Sequence, residues 1–416
     1  MVLESDDSVA TELQQIIDSL GHRIDRAVAI DDSHFRLVAY NASDDPRDEA
    51  RAASILARAT PPSVVDWLQA QGVAEAEGPV RLPPHPPCGL ASRIYVPIRV
   101  RDEVLGYLWI VDPDQRLGSN GLRLAAGAAA DASLWLMRER LSTELRLSLE
   151  REVLRDLISD DDRLRRQAVE RTLDADLLIR PGRVDAIVVH PTSTSATEPT
   201  PEVRRAMTAA LEEGRKMLSP RHSLELIRPD HAILVLVTTD VDVNTAGILR
   251  LAHHVHEHLS ALLSGFPGWS SHLGVSGRHT NLDRIHIAYR EAFSAARAAS
   301  LVQSLGSVAS WSQLGIYRVL LQFPLDALDL AEAGAATLSL LYDSPNIELL
   351  RTLELFLDCA GNIRKTAGLL HIHRGTLYYR LQRIEELLGA SLDDGEVRLT
   401  LHLLIKLLPL VPASHG

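Results

Sequence analysis

Between Cys359 and Ile384 the chain contains no Asp or Glu, yet Arg364, Lys365, Arg374, Arg380 and Arg383 all fall there. A locally positive surface of that kind is what the phosphates of nucleic acid require. Interleaved with these cations stand groups able to read base edges. Recognition helices meet bases with the residues of their first turns, so His373, Arg374 and Thr376 are the base-reading candidates, with Tyr379 one turn later. Arg364, Lys365, Arg380 and Arg383 form the phosphate-holding set. The implied partner is double-stranded DNA. A solvated helix face would give any single one of these arginines, and Tyr378 and Tyr379 could pack against a neighbouring helix; the constellation as a whole points to DNA.

Three other groupings could do different chemistry. The run His253-His254-Val255-His256-Glu257-His258 holds the H-x-x-E-H spacing of inverted zinc peptidases, with His254 and His258 one turn apart on one helix face. A His-rich surface helix yields the same letters, and no downstream carboxylate ligand is evident. Cys88 and His85 lie close together but without the basic neighbour or resolving thiol that makes a cysteine reactive. Gly274-Val275-Ser276-Gly277 lacks the spacing and the Lys-Ser/Thr ending of a phosphate-binding loop, and a strand-to-helix turn accounts for it.

The basic residues need a rigid scaffold, and the terminal segment supplies one. Its apolar spacing predicts helices over 346–359, 362–369, 373–388 and 396–408, with a break at Ala360-Gly361 and a three-residue turn at 370–372. Two helices joined by so short a turn form a helix-turn-helix. Asn362 is placed to cap the first of the pair, Ala367 is small enough for a close helix crossing, and Ile363, Leu369, Leu370 and Ile372 supply its apolar side. Leu377, Leu381, Ile384 and Leu388 form the buried stripe of the second.

Upstream, 184–189, 223–228, 231–237 and 272–276 have strand character and 201–218, 245–263 and 281–300 helical character. That order is the split βαββαβ plan. Over 121–158, Leu134, Met137, Leu141, Leu145, Leu149, Val153 and Leu157 recur three or four residues apart, predicting one long amphipathic helix and a possible dimer contact. Residues 26–40 and 92–111 each pattern as a β-hairpin, 47–60 and 63–71 as helices, and the proline-rich stretch 78–90 as a loop bordering a cavity. Residues 312–345 pattern as connecting helices broken by Pro324 and Pro345.

At 416 residues several domains are expected. Hydrophobic residues at 46% and charged residues at 24% suit a folded, soluble chain. The net charge of −12 argues against nonspecific coating of nucleic acid, so any DNA contact must be local. Two cysteines without a partner pattern suggest neither disulfides nor a zinc site. No apolar run reaches the ~18 residues of a membrane span, and the acidic start MVLESDD is unlike a signal peptide, so a cytoplasmic protein is expected.

The run GNIRKTAGLLHIHRGTLYYRLQRIEELLG, followed by LDDGEVRLTLHLLIKLL, closely resembles the C-terminal DNA-binding domain of PucR/CdaR-type bacterial regulators, and its core is similar to the Fis-type helix-turn-helix. Gly375 departs from the Asn that many members of that family carry between the Arg and Thr of this helix. SHLGVSGRHTNLDRIHIAYREAFSAARAA resembles the degenerate cyclase-like domain of the same family. Active diguanylate cyclases carry a Gly-Gly-Asp/Glu-Glu-Phe hairpin and a metal-binding Asp on the first strand. Here the hairpin is Arg228-Pro229-Asp230-His231-Ala232 and the strand ends Val188-Val189-His190-Pro191, which implies a scaffold or dimerisation role. VPIRVRDEVLGYLWIVD resembles the paired core strands of a GAF domain, a small-molecule sensor fold.

The expected architecture is therefore multidomain α+β: a GAF-like α/β sensor (1–120), a signalling helix (121–158), a degenerate GGDEF-like βαββαβ domain (159–310), connecting helices (311–345) and an all-α helix-turn-helix terminus (346–416). The expected function is sequence-specific, DNA-binding transcription regulation by a homodimer or higher homo-oligomer, responding to a small-molecule or protein signal. No catalytic residue, metal or cofactor is assigned. Two other readings remain: a metal hydrolase on His254, Glu257 and His258 or a nucleotide cyclase, and a protein-binding adaptor. The balanced charge of 346–416, with eight Lys/Arg and eight Asp/Glu, leaves room for the adaptor.

Overall fold

Alternation of apolar residues along 93–111 places Ile94, Val96 and Ile98 on one side of a sheet and Tyr95, Tyr107 and Trp109 on the other, and both sides are buried. The computed structural model describes residues 3–41, 49–195, 198–219, 221–239, 245–323 and 346–410, and divides into two units, Met1–Leu149 and Glu150–Gly416.

In the first unit both expected hairpins are present: β1 (Val28–Asp32) with β2 (Leu37–Tyr40), and β4 (Arg93–Val100) with β5 (Glu103–Val111). The sheet order is β2-β1-β5-β4-β3, antiparallel throughout. Helix α1 (Leu3–Ile24), which the sequence reading did not include, lays Leu13, Ile17 and Leu20 on one face of the sheet beside Ala125, Ala129 and Ala132 of α4 (Ser119–Leu157). On the other face, α3 (Pro62–Ala70) contributes Val64 and Leu68, preceded in the chain by α2 (Glu49–Ala57). The proline-rich stretch 78–90 is not only loop: Val80–Leu82 forms the edge strand β3 against β4, and Pro86–Cys88 a single 3-10 turn. Three residues are too few for a period-2 signal to register.

The second unit takes in the end of α4 and then α5 (Asp162–Asp174), also absent from the sequence reading and capped by Asp161, whose carboxylate accepts from the Arg163 and Leu164 amides. Then come β6 (Arg183–Ser193), α6 (Pro201–Arg215), β7 (Ser223–Ile227), β8 (Ala232–Thr238), α7 (Thr245–Leu263) and β9 (Trp269–Val275), the expected order. Strands lie as β9-β6-β8-β7, all antiparallel, with a short β10 (Val308–Ser310) added parallel to β9. Helices α6 and α7 cover one face. Helix α8 (Ile285–Leu301) packs on β6 and β9 through Ala288, Ala292, Ala295 and Ala296, all fully buried.

Gly274 lies inside β9 rather than in a strand-to-helix turn, and its role is proximity. A Cβ there would stand 1.9 Å from the Ala292 carbonyl oxygen and 2.3 Å from the Ala296 nitrogen. Of 312–345, residues up to 323 contain a 3-10 turn and α9 (Tyr317–Leu320); 324–345, with Pro324 and Pro345, lie outside the described residues. The chain ends in four helices: α10 (Ile347–Asp358), α11 (Ile363–Leu369), α12 (Arg374–Leu388) and α13 (Gly395–Leu407). Leu353, Phe356, Leu377, Ile384, Leu401 and Leu404 form the centre of their shared core.

Candidate nucleic-acid interface

Helix α11 starts where Asn362 caps it: the side-chain Oδ1 accepts from the Lys365 amide at 3.0 Å. Thr366, fully buried, donates its hydroxyl to the Asn362 carbonyl at 2.9 Å. Replacing Asn362 by Ala should lower stability by about 1 kcal/mol, read as a drop in the urea midpoint without a change in slope. At the other end, the His371 amide bonds to the Gly368 carbonyl and the Ile372 amide to the Ala367 carbonyl. His371 itself takes a left-handed φ of 56° to close the turn.

Helix α12 then emerges with the expected stripe inward. Leu377, Leu381, Ile384 and Leu388 are all buried, and Ala367 of α11 is buried with them. Ile363, Leu370 and Ile372 pack against the same core, but Leu369 does not: it is half exposed, because α11 ends there and the chain turns its side chain outward.

Arg364, Lys365, Arg374, Thr376 and Tyr379 are exposed on the helix pair. The side chains of Arg364, Lys365 and Arg374 make no hydrogen bond or ion pair with any described residue, so their charge faces solvent undiminished. Tyr378 and Tyr379 are 60% and 70% exposed, so neither is packed against a neighbouring helix. Their rings suit apolar contact with sugar or base edges.

Three of the expected contact residues have structural partners. His373 is the N-cap of α12, its Nδ1 accepting from the Gly375 amide at 3.2 Å, which leaves Nε2 as its outward group. Arg380 turns back to α10, its Nη1 donating to Glu348 Oε2 at 3.3 Å and to Thr352 Oγ1 at 3.1 Å. That guanidinium braces α12 against α10. Arg383 donates to Glu386 Oε2 at 3.0 Å on the exposed surface, a pair that surface screening makes weak and easily exchanged for a phosphate. The sequence could not reveal Glu348 and Thr352 as partners, since they lie 32 and 28 residues from Arg380. Gly375 sits in open space: a Cβ would meet only the His373 Nδ1, at 3.4 Å, so the Asn common in the resembling family would fit here.

The rival groupings hold less together. No set of three His, Cys, Asp or Glu side chains able to hold a metal occurs among the described residues. On α7, His256 is engaged with Ser271 Oγ at 2.8 Å, while His254 and His258 act electrostatically on Glu213. In strand β6 the one carboxylate, Asp185, has both oxygens bonded to the buried Arg183 guanidinium. The β7–β8 turn presents Asp230 to His231 Nδ1 at 2.8 Å, and His231 Nε2 meets Tyr289 OH at 3.1 Å. Cys88 Sγ contacts the Ser63 carbonyl at 3.8 Å, and His85 stacks on Trp67 with ring centroids 4.7 Å apart.

Residues 349–407 match the family described as the PucR C-terminal helix-turn-helix domain. This is a PucR-type DNA-binding domain. Similarity to curated proteins runs well beyond it. The proline-responsive transcriptional activator PutR of Bacillus subtilis is 22% identical over 409 residues, covering 94% of this chain and 95% of its own length. The DNA-binding transcriptional activator AdeR of the same organism is 23% identical over 411 residues, 95% and 92% of the two chains. The purine catabolism regulatory protein of B. subtilis is 26% identical over 328 residues, 76% of this chain and 59% of its own. The PucR-type domain is thus the part with a named family, and the three outward cations Arg364, Lys365 and Arg374 lie within it.

Proposed function

We propose that the chain is a transcription regulator that binds double-stranded DNA in a sequence-specific manner, with α12 in the major groove. The observation that carries this is the PucR-type helix pair with the side chains of Arg364, Lys365 and Arg374 exposed and without a hydrogen-bond or ion-pair partner among the described residues, beside exposed Thr376 and Tyr379. His373, through Nε2, and Arg383, by exchanging Glu386, join them at the DNA; Arg380 holds the helix in place and contributes its charge from behind. The similarity to PutR and AdeR, both named as activators, over nearly the whole chain supports the same class of function.

The rest of the assignment follows from the units upstream. The five-stranded sheet of the first unit, with helices on both faces, fits a GAF-like sensor, and the βαββαβ sheet of the second fits a degenerate cyclase-like scaffold without catalysis. On α4, Leu134, Leu141 and Leu145 are half to mostly exposed at helical spacing, which suits pairing with the same helix of a second copy in a homodimer. Among the described residues no helix is long and apolar enough to cross a membrane, in keeping with a cytoplasmic site of action.

Salt titration of DNA binding tests the reading. The affinity of the full chain for a selected DNA duplex should fall with a log–log slope of roughly −0.9 per phosphate contacted. With Arg364 and Lys365 engaged in each of two copies, a slope steeper than about −3 is expected. A flat response would favour the protein-binding adaptor, and stoichiometric zinc with hydrolase activity would favour the enzyme.

A further inference from the structure

The side of the first sheet that faces α3 encloses a cavity of about 40 Å3. At ~10–15 Å3 for each water it has room for a guest of only a few heavy atoms. Val64, Leu68 and Leu37 make its wall apolar, the indole of Trp109 adds an aromatic surface, and Tyr40 stands at its edge. Into this apolar lining projects a carboxylate, that of Asp31, only 5% exposed.

The backbone aims it there. Alternation along β1 puts Asp31 on the side of Ala29, opposite Val28 and Ile30, and the unbroken pairing with β5 sets it against Tyr107. Asp31 Oδ2 accepts one aligned hydrogen bond among the described residues, from Thr60 Oγ1 at 3.2 Å. The Trp109 indole nitrogen, buried beside the carboxylate, has no aligned acceptor among the described residues. Burial pushes the Asp31 carboxyl up to about 6, although Thr60 and Trp109 pull the other way. Arg93 also borders the cavity, its Nε donating to the Ala91 carbonyl at 3.4 Å, and it draws the Asp31 carboxyl down less than Thr60 or Trp109 does.

A buried carboxylate with so few donors is held at a cost that an incoming cation would offset. We propose that this cavity binds a compact organic ammonium compound, which donates N–H groups to Asp31 and lays its alkyl part against Trp109, Val64 and Leu68. An anion would meet the Asp31 charge, and a purely apolar guest would leave it unpaired. The proposal rests on the reading of the first unit as a sensor and names the chemistry it senses.

The test compares two probes of one shape, 2-propylammonium and 2-propanol, titrated into the full-length chain without DNA and followed by the indole N–H resonances of its five tryptophans. The ammonium should bind saturably and at least about tenfold more tightly than the alcohol, moving the Trp109 resonance. Asp31→Asn, which can keep the Thr60 bond, should remove that preference while the chain still unfolds cooperatively. Equal affinities, no shift with either probe, or a preference that survives in Asp31→Asn would overturn the site. Because no DNA is present, those failures leave the regulator reading intact. Saturable, Asp31-dependent binding that leaves DNA affinity unchanged would keep the site and remove the sensor role.

Discussion

Arg374→Ala should weaken binding to the selected operator by roughly 10- to 100-fold while leaving the fold unchanged. Arg374 is the first residue of α12, directly after the His373 cap, where a recognition helix meets the groove. Its side chain is exposed and makes no hydrogen bond or ion pair with a described residue, so its removal should alter stability by no more than about 0.5 kcal/mol. Binding-site selection with wild type and variant at two salt concentrations reads both aspects. Loss of the selected motif with nonspecific affinity retained assigns Arg374 to base edges. A uniform loss with a shallower salt slope assigns it to phosphate. Retention of motif and affinity alike would remove α12 from the DNA interface. Arg380→Ala is the informative contrast, because it breaks the link from α12 to Glu348 and Thr352 and so should act through stability first.

The largest loss of stability is expected from Gly274→Ala. Overpacking a core commonly costs about 1–3 kcal/mol, because flexible side chains can move aside. Here the added methyl would meet the backbone of α8, at Ala292 O, Ala296 N and Ala295 C, all within 2.9 Å. The helix itself would have to shift, lifting its alanine face off β6 and β9, so about 3 kcal/mol or more is expected from a total that is typically 5–15 kcal/mol. Gly127→Ala gives the opposite sign: it lies within α4 with no atom within 4 Å of the added Cβ, and should stabilise by up to about 1 kcal/mol. Urea unfolding of both variants decides the point. An unchanged midpoint for Gly274→Ala would mean that α8 does not lie this close to β9.

Local signals in the sequence carried most of the terminal domain. The cap at Asn362, the small Ala367 and the stripe Leu377, Leu381, Ile384 and Leu388 are each set by neighbours within four residues, and each is found as expected. What depended on distant partners was not legible. Arg380 looks in sequence like any outward arginine of α12, and only the fold brings Glu348 and Thr352 to it. His373 carried the letters of a base reader, whereas its capping of Gly375 depends on its own extended backbone, φ −71° and ψ 149°. The three-residue strands β3 and β10 exist only because a longer neighbour presents an open edge, and no pattern fits in three residues. Asp31 likewise gave no local signal, since its burial depends on the distant residues that β5 and α3 bring over it.

Helix α13 belongs to two cores at once. Leu401, Leu404 and Ile405 lie in the terminal domain's core, and Lys406 clamps it to α10 through Glu354 at 2.8 Å and Asp358 at 3.0 Å. Leu403 and Leu407 face elsewhere, against the cluster of Leu314, Tyr317, Leu320 and Leu410 that continues to Ala295 and Ala299 of α8. A helix gripped on two sides has no slack, and close-packed interiors pass on strain rather than absorb it. Helix α12 is therefore geared to the second sheet, not tethered to it. A small tilt of α8 should therefore be felt as a change in the angle at which α12 is held, with the second sheet as the bearing on which that motion turns.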